Sequence, residues 1–389
     1  MILSHKIRLM PTKTQIEYFV KACGTARFSY NWALGQWKQR YELGEKPKSS
    51  TLKKIFNSIR KQEFPWTCDV HRDCTAQPFA NLQKAFSSFF KKKTGYPKFH
   101  KKGQRDSFYI ANDKISFDEK KVRIPVLGWV SMRETLRFAG KVMSATVSRV
   151  ADRWMLAVQV NVGDYHKDRI GNEKIGVDLG ITTLATLSTD EKIEGPKSLG
   201  KYLKRLQRLS RRHSRKLKGS SNRKKAADRL ARLHCKIKDI RQDSLHKLTT
   251  RLCRENQTII IEDLNVKSMV QNRYLARSLS DAAFGEFRRQ TTYKSVIYKT
   301  DLQVADRWFP SSKTCSSCGD IKDLQLSDRT FNCKCGLVLD RDHNAALNLK
   351  QLPRATREVK PVEKKALVSK DTKLSSLKQE FHSDQSLRK

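Results

Sequence analysis

Four cysteines stand in two short pairs, Cys315 and Cys318 as C-x-x-C and Cys333 and Cys335 as C-x-C. Fourteen residues separate the pairs, and a glycine, Gly319 or Gly336, follows each. Two knuckles of this kind present four thiolates tetrahedrally to one zinc ion, and four sulfur ligands leave no position open for water. The expected ion is therefore structural. Cys68, His71 and Cys74 offer a second set, but with only three ligands in a helical register they read as packed or partly exposed side chains.

Carboxylates are the other candidates for chemistry, and they are scarce. Asp178 stands between Val177 and Leu179, and Glu262 ends the apolar run Ile259, Ile260, Ile261. A carboxylate on an apolar strand costs free energy unless it is paired, hydrogen-bonded or bound to a cation. Asp263 competes with Glu262, but strand alternation sends it to the opposite face, so only one of the two can serve. A third acid comes from DRDHNAALNLK, where Asp340 and Asp342 both qualify as metal ligands, and Asp342 or Asn344 could instead cap the following helix, with Asn344 the expected cap. Two strand carboxylates and one at a helix start describe the acidic centre of an RNase H-like fold, which holds Mg²⁺ near a scissile phosphate.

The elements that must position these groups follow from periodicity. Residues 1–10 alternate apolar and polar before Pro11, which predicts a strand whose partner is distant in sequence. A helical pattern occupies 12 to about 105, within which the run FANLQKAFSSFFKKK stops before the GYP breaker of 95–97. Between 106 and 165 the period becomes two, predicting a small antiparallel sheet or barrel completed by the first strand, with the helices as an insertion. GVDLGITTLATLS and TIIIEDL are buried strands. Between them lies a long helical hairpin broken at KGSS, where Leu199, Leu203, Leu206, Leu209, Leu230, Leu233, Ile237 and Ile240 form an apolar stripe opposite a basic face.

Composition narrows the partners. The chain has 389 residues, enough for two or three domains, with 80 Lys and Arg against 39 Asp and Glu and a formal net charge of +41. Such a potential binds polyanions by neutralising phosphates and releasing counterions, so a nucleic acid is expected, the alternative being a basic structural protein such as a ribosomal component. No run of 18 apolar residues occurs and the N-terminus lacks a signal-peptide core, which predicts a soluble intracellular protein. Nine cysteines, an odd number with one metal-spaced cluster, suit a reducing compartment.

Taken in order, GVDLGITTLATLS, IIIEDLN, the cysteine knuckles and DRDHNAALNL resemble the TnpB family of transposon-encoded nucleases, which are related to compact type V CRISPR effectors. KIRLMPTKTQ, ARFSYNWAL, FKKKTGYPKFHKK and RIPVLGWV are similar to the same family's recognition and wedge regions, so the resemblance spans about residues 1 to 352. It implies an α/β multidomain fold, with an RNase H-like (RuvC) nuclease domain carrying an inserted zinc ribbon and an N-terminal wedge β-barrel carrying an inserted helical recognition domain. The implied boundaries are 1–10 and 106–168 for the wedge, 11–105 for recognition and 169–314 for the nuclease domain with its basic hairpin at 196–254. The ribbon would take 315–336, the last nuclease segment 337–352 and a flexible basic tail 353–389.

The resemblance further implies Asp178, Glu262 and Asp342 as catalytic acids, because the family's D-R-D-x-N pattern selects the second aspartate over Asp340. Arg329 matches a recurrent family arginine at the scissile phosphate. Arg27, Tyr30, Asn31, Arg72, Gln77, Lys98 and Asn112 fall in the regions expected to contact nucleic acid. The second knuckle departs from the C-x-x-C of many relatives. Two catalytic Mg²⁺ ions, one structural Zn²⁺, an omega-type guide RNA and double-stranded target DNA complete the implied picture. The activity would be endonucleolytic cleavage beside a short adjacent motif, by a monomer on its RNA in the prokaryotic cytoplasm at the nucleoid. A nuclease-silent RNA-guided repressor and a DNA-strand transferase are the alternatives. The first would be expected to have lost an acid; the second lacks the His-x-His and tyrosine helix of a single-strand transposase.

Overall fold

The computed structural model of the chain describes residues 1–325 and 328–353, so the tail expected from 353 onward lies, past its first residue, outside the described residues. Strand β1 (Ile2–Met10) buries Ile7 and Leu9 on one face. Thr12 then starts helix α1 (Lys13–Glu42) with a capping box: its hydroxyl accepts from the Gln15 N–H at 3.3 Å, and its own N–H donates to Gln15 Oε1 at 3.0 Å. Helices α2 (Ser49–Glu63) and α3 (Asp73–Phe90) pack against α1 through an aromatic core that includes Tyr30, Trp37, Phe56, Phe79 and Phe86.

Six strands follow: β2 (Ser107–Ala111), β3 (Ser116–Asp118), β4 (Lys121–Ile124), β5 (Gly128–Met132), β6 (Lys141–Val150) and β7 (Arg153–Asn161). With β1 they make a seven-stranded sheet in the order β2-β6-β7-β1-β5-β4-β3, in which every pairing is antiparallel. The first strand pairs with β7 along its length, from Ile2 opposite Asn161 to Leu9 opposite Trp154. Chain ends about 150 residues apart thus meet in the middle of the sheet, and α1–α3 form an excursion between β1 and β2. Among the described residues no ladder joins β2 to β3, so the hydrogen bonding leaves the sheet open rather than closing it into a ring. Phe19, Ala22 and Cys23 of α1 and Cys74 of α3 fill its apolar face.

The second sheet has the order β10-β9-β8-β11-β12. Its strands are β8 (Glu173–Asp178), β9 (Ala185–Leu187), β10 (Lys192–Ile193), β11 (Asn256–Ile261) and β12 (Asp301–Val304). β8, β11 and β12 are parallel, whereas β9 and β10 are antiparallel additions at one edge. Parallel strands need both faces covered, which explains why Ile259, Ile260 and Ile261 are consecutive and all buried. Between β10 and β11 run helices α4 (Ser198–Ser214) and α5 (Ser221–Glu255), and between β11 and β12 lie α6 (Val266–Met269), α7 (Ala276–Ala282) and α8 (Phe284–Tyr298). Leu245, Leu248 and Leu252 of α5 with Phe284 and Phe287 of α8 cover one face. The chain closes with β13 (Thr330–Asn332), β14 (Val338–Asp340) and α9 (Arg341–Gln351), and α9 covers the other face, where Leu349 meets Ile260 and Ala305.

Two details fix the geometry of this second sheet. Gly176 lets α9 lie directly on β8, because a Cβ there would stand 2.0 Å from Ala346 O and 2.6 Å from Lys350 N. Asp281 of α7 holds the start of α4, accepting from the Leu199 N–H at 2.9 Å, the Ser198 hydroxyl at 3.0 Å and Arg241 of α5 at 3.1 Å. The α4 leucines at 199, 203, 206 and 209 are only half-buried, and the basic side of that helix lines an open groove of about 770 Å³ with Lys201, Lys204, Arg205 and Arg208. Replacing Gly176 with alanine should lift α9 off β8. The expected loss is about 1–3 kcal/mol in denaturant unfolding, the usual cost of overpacking a dense contact.

Candidate functional site

β8 and β11 are paired in parallel with Val177 opposite Ile261. The next residue on each strand is an acid, so Asp178 and Glu262 leave the sheet side by side at its carboxyl end, where open α/β sheets place ligands. Asp342 arrives from the first turn of α9, one helical turn before Ala346, the residue seated on Gly176. The three acids therefore come from positions at least 80 apart in the sequence and face one another.

The electrostatics record this convergence. Burial first, and then the charges of Glu262 and Asp342, push the Asp178 carboxyl well above the ordinary range, against the opposing effects of Arg341 and the Leu179 N–H. Glu262 is raised by burial and by Asp342, although a hydrogen bond from the Ser311 hydroxyl and the charge of Arg341 work the other way. Among the described residues these acids do not form a group whose ligand atoms all lie within 4.8 Å. Asp263 turns to the other face as alternation requires. There burial disfavours its charge, but Arg288 at 2.5 Å and Arg307 at 2.6 Å prevail and hold its pKa below the usual range.

The helix cap differs from the expected one. Asp340, not Asn344, caps α9, with Oδ1 accepting from the N–H groups of Asp342 at 3.0 Å and His343 at 3.1 Å. The helix begins earlier than its apolar pattern suggests, because Arg341 and Asp342 already belong to it, and this puts Asn344 inside the first turns. The other oxygen of Asp340 meets Lys192 Nζ at 2.8 Å. Burial opposes its ionisation, yet the Lys192 contact and the two N–H donors keep it ionised below the usual range.

Asn344 has a different task. Fully buried, it donates to Thr314 O at 2.7 Å and accepts from the Ser316 N–H at 3.0 Å. Asn348, one turn on, donates to Ser311 O at 2.7 Å and Thr314 O at 2.6 Å. These bonds fasten α9 to the segment that carries the first cysteine pair. Cys315 Sγ lies 3.7 Å from Cys335 Sγ and Cys318 Sγ lies 3.5 Å from Cys333 Sγ, with all four sulfurs within 4.8 Å of one another. Sulfurs bound tetrahedrally at about 2.3 Å from one zinc stand roughly 3.8 Å apart, so this donor set fits the ion. The C-x-C spacing of the second pair does not prevent the fit.

The remaining sequence candidates do not gather at the acids. Arg329 is exposed, and its carbonyl accepts from the Arg341 N–H at 2.9 Å. Arg341 is instead the arginine whose charge reaches Asp178 and Glu262, while its guanidinium donates to Gln325 O at 3.0 Å and Asp328 O at 3.2 Å. Neither Arg341 nor Ser311 was singled out by type or spacing, although Arg341 sits inside the D-R-D triplet. Arg27 is paired with Asp106 at 3.1 Å; Tyr30 is buried and stacked on His100 with ring centroids 3.9 Å apart; Asn31 donates to His100 O at 2.9 Å. Arg72, Lys98 and Asn112 are exposed, and Gln77 bonds Asn81 at 3.1 Å. Cys68 is exposed, whereas His71 is buried with its ring nitrogens 2.9 Å from the Tyr18 hydroxyl and from Tyr109 O, so the three do not form a metal group. No helix among the described residues is long and apolar enough to cross a membrane.

The chain is similar to known proteins in sequence and in fold. A family profile described as "Probable transposase" matches residues 157–273, one described as "Cas12f1-like, TNB domain" matches 284–349, and a "Helix-turn-helix domain" profile matches 1–46. A Streptomyces pristinaespiralis protein named "Putative RNA-guided DNA endonuclease" is 38% identical over 362 residues, covering 88% of this chain and 87% of the relative. An Escherichia coli K12 protein, "Putative RNA-guided DNA endonuclease InsQ", is 31% identical over 364 residues, covering 88% and 90%. The fold is also that of the protein in "Cryo-EM structure of the Cas12f1-sgRNA-target DNA complex", with a TM-score of 0.57, 14% identity and 87% and 83% of the two chains covered. The fold is thus mixed α/β with a RuvC-type sheet. The chain belongs to the TnpB family.

Two measurements follow from this geometry. An acid whose folded pKa is raised above its unfolded value costs stability once pH exceeds the unfolded value, and the cost grows until pH reaches the folded value. Without divalent ions Asp178→Asn should therefore melt above wild type at neutral pH, and the difference should vanish as pH falls toward the ordinary value of 3.8. Separately, the purified chain should hold one zinc by elemental analysis, and Cys315→Ser with Cys335→Ser should lose the metal and lower the thermal midpoint.

Proposed function

We propose that this chain is an RNA-guided DNA endonuclease that cuts double-stranded DNA beside a short adjacent motif at a single acidic centre. The observation that carries the reading is the in-register pair Asp178 and Glu262 joined by Asp342 from the helix seated on Gly176. The names of the relatives point the same way. Asp178, Glu262 and Asp342 would hold two Mg²⁺ ions; such ions lower the pKa of a bound water and neutralise charge on the phosphate in transit. The protein's own part is positional. The parallel ladder fixes two carboxylates, the Gly176 contact fixes the third, and Ser311 orients Glu262.

The finer architecture fits the same reading. The seven-stranded sheet is assigned as the wedge, α1–α3 as the recognition insertion, and residues 315–336 as a zinc ribbon that delivers α9 to the centre. Sequence reading is delegated to a guide RNA, so the protein needs mainly backbone contacts, which a net charge of +41 supplies. Arg72, Lys98 and Asn112 are exposed enough to meet nucleic acid directly, whereas Arg27, Tyr30 and Asn31 brace the recognition fold. A repressor that only binds would not need three intact acids.

Full-length protein purified with its RNA, incubated in Mg²⁺ with DNA matching that RNA, should cut the DNA. Asp178→Ala, Glu262→Ala and Asp342→Ala should each reduce cleavage by more than about 100-fold, beyond the usual effect of losing an outer-sphere partner, while RNA binding is kept. Asp340→Asn keeps a capping side chain and should retain cleavage within a few fold. Equal cutting by wild type and Asp178→Ala would refute the assignment.

A further inference from the structure

Trp308 is 85% exposed, and no large apolar side chain among the described residues is more so. A single exposed apolar side chain is ordinary by itself, so the setting of this indole decides what it can do. The turn that carries it is held on all sides. Phe309 packs into the cluster of Ile260, Ala305 and Leu349. Asp306 accepts from the Trp308 N–H at 2.9 Å through its side chain and from the Phe309 N–H at 3.1 Å through its carbonyl. Arg307 is bound to Asp263, the neighbour of Glu262, at 2.6 Å, and Ser311 donates its hydroxyl to Glu262 itself. The segment is therefore anchored on both sides of Trp308, by Arg307 to Asp263 on the opposite face and by Ser311 to Glu262 of the acidic centre, while presenting the indole to solvent.

Two arginines stand beside this turn. Arg288 and Arg307 share Asp263, and both guanidiniums are about half exposed, while the Asp306 carboxylate is turned back onto the Trp308 N–H. An aromatic face beside half-exposed guanidiniums is a pairing used to hold single-stranded nucleic acid, where each base offers a flat surface whatever its identity. A base inside a duplex hides its faces from such a platform. We propose that Trp308 stacks on an unpaired base next to the scissile phosphate and so sets where the DNA strand lies over Asp178, Glu262 and Asp342. This rests on the nuclease reading for the meaning of the site, but its test does not depend on cutting.

The experiment uses full-length Asp178→Ala protein loaded with its co-purified RNA, bound to target-strand DNA carrying 2-aminopurine at successive positions across the expected cut. One label position should be quenched on binding, and the quench should disappear when Trp308→Ala is added and return with Trp308→Phe. In the cutting-competent chain, Trp308→Ala should raise the apparent KM for single-stranded target about tenfold, the size usual for removing a stacking aromatic, with the thermal midpoint unchanged. An identical label profile with and without Trp308 would overturn the proposal. A chain that cuts nothing yet shows the Trp308-dependent quench would refute the nuclease reading and leave the stacking site standing.

Discussion

Three carboxylates held face to face repel, and most of the second sheet's construction answers that repulsion. Asp178 and Glu262 are locked together by a parallel ladder whose strands are buried on both faces, so neither can move away without opening the core. Asp342 is brought in by a helix that rests on a glycine with no space for a methyl group. Asp340 then completes the N-terminus of that helix, and its pairing with Lys192 keeps it from adding a fourth unpaired charge to the cluster. The cost appears in the raised pKa values of Asp178 and Glu262, and it is the kind of cost a bound divalent cation removes.

The cysteine knuckles belong to the same construction. Asn344 and Asn348 reach from α9 to Ser311, Thr314 and Ser316, and Ser311 reaches on to Glu262. The cysteine loop, the helix that bears Asp342 and the carboxylate of Glu262 are therefore linked through one short set of hydrogen bonds. Ordering that loop would order the carboxylates, so two donor sets of opposite chemistry, soft thiolate and hard oxygen, are coupled mechanically rather than through a shared residue.

The sequence was informative wherever a residue type conflicted with its surroundings. An aspartate in Val-Asp-Leu and a glutamate after three isoleucines were conspicuous because apolar strands do not carry charge without a reason, and the cysteine spacing allowed few alternatives. That β1 joins the sheet of residues 106–165 was legible from its need for a distant partner, but its register with β7 depends on contacts across the whole chain. The helix cap was misplaced because apolar periodicity marks where a helix packs, and α9 starts before it packs. Arg341 and Ser311 stayed hidden because arginine and serine are common in any basic chain, and only the fold shows which of them face the acids. The exposure of Trp308 was likewise beyond reach, since a tryptophan beside a phenylalanine and a proline suggests burial for both rings.

The central claim is that Asp178, Glu262 and Asp342 form one divalent-cation site. Titration of Mn²⁺ into RNA-free full-length protein at neutral pH, with free Mn²⁺ followed by electron paramagnetic resonance, tests it most directly. Saturable binding that is present in wild type and in Asp340→Asn but absent in Asp178→Asn is the predicted result. Equal binding by wild type and Asp178→Asn would contradict it.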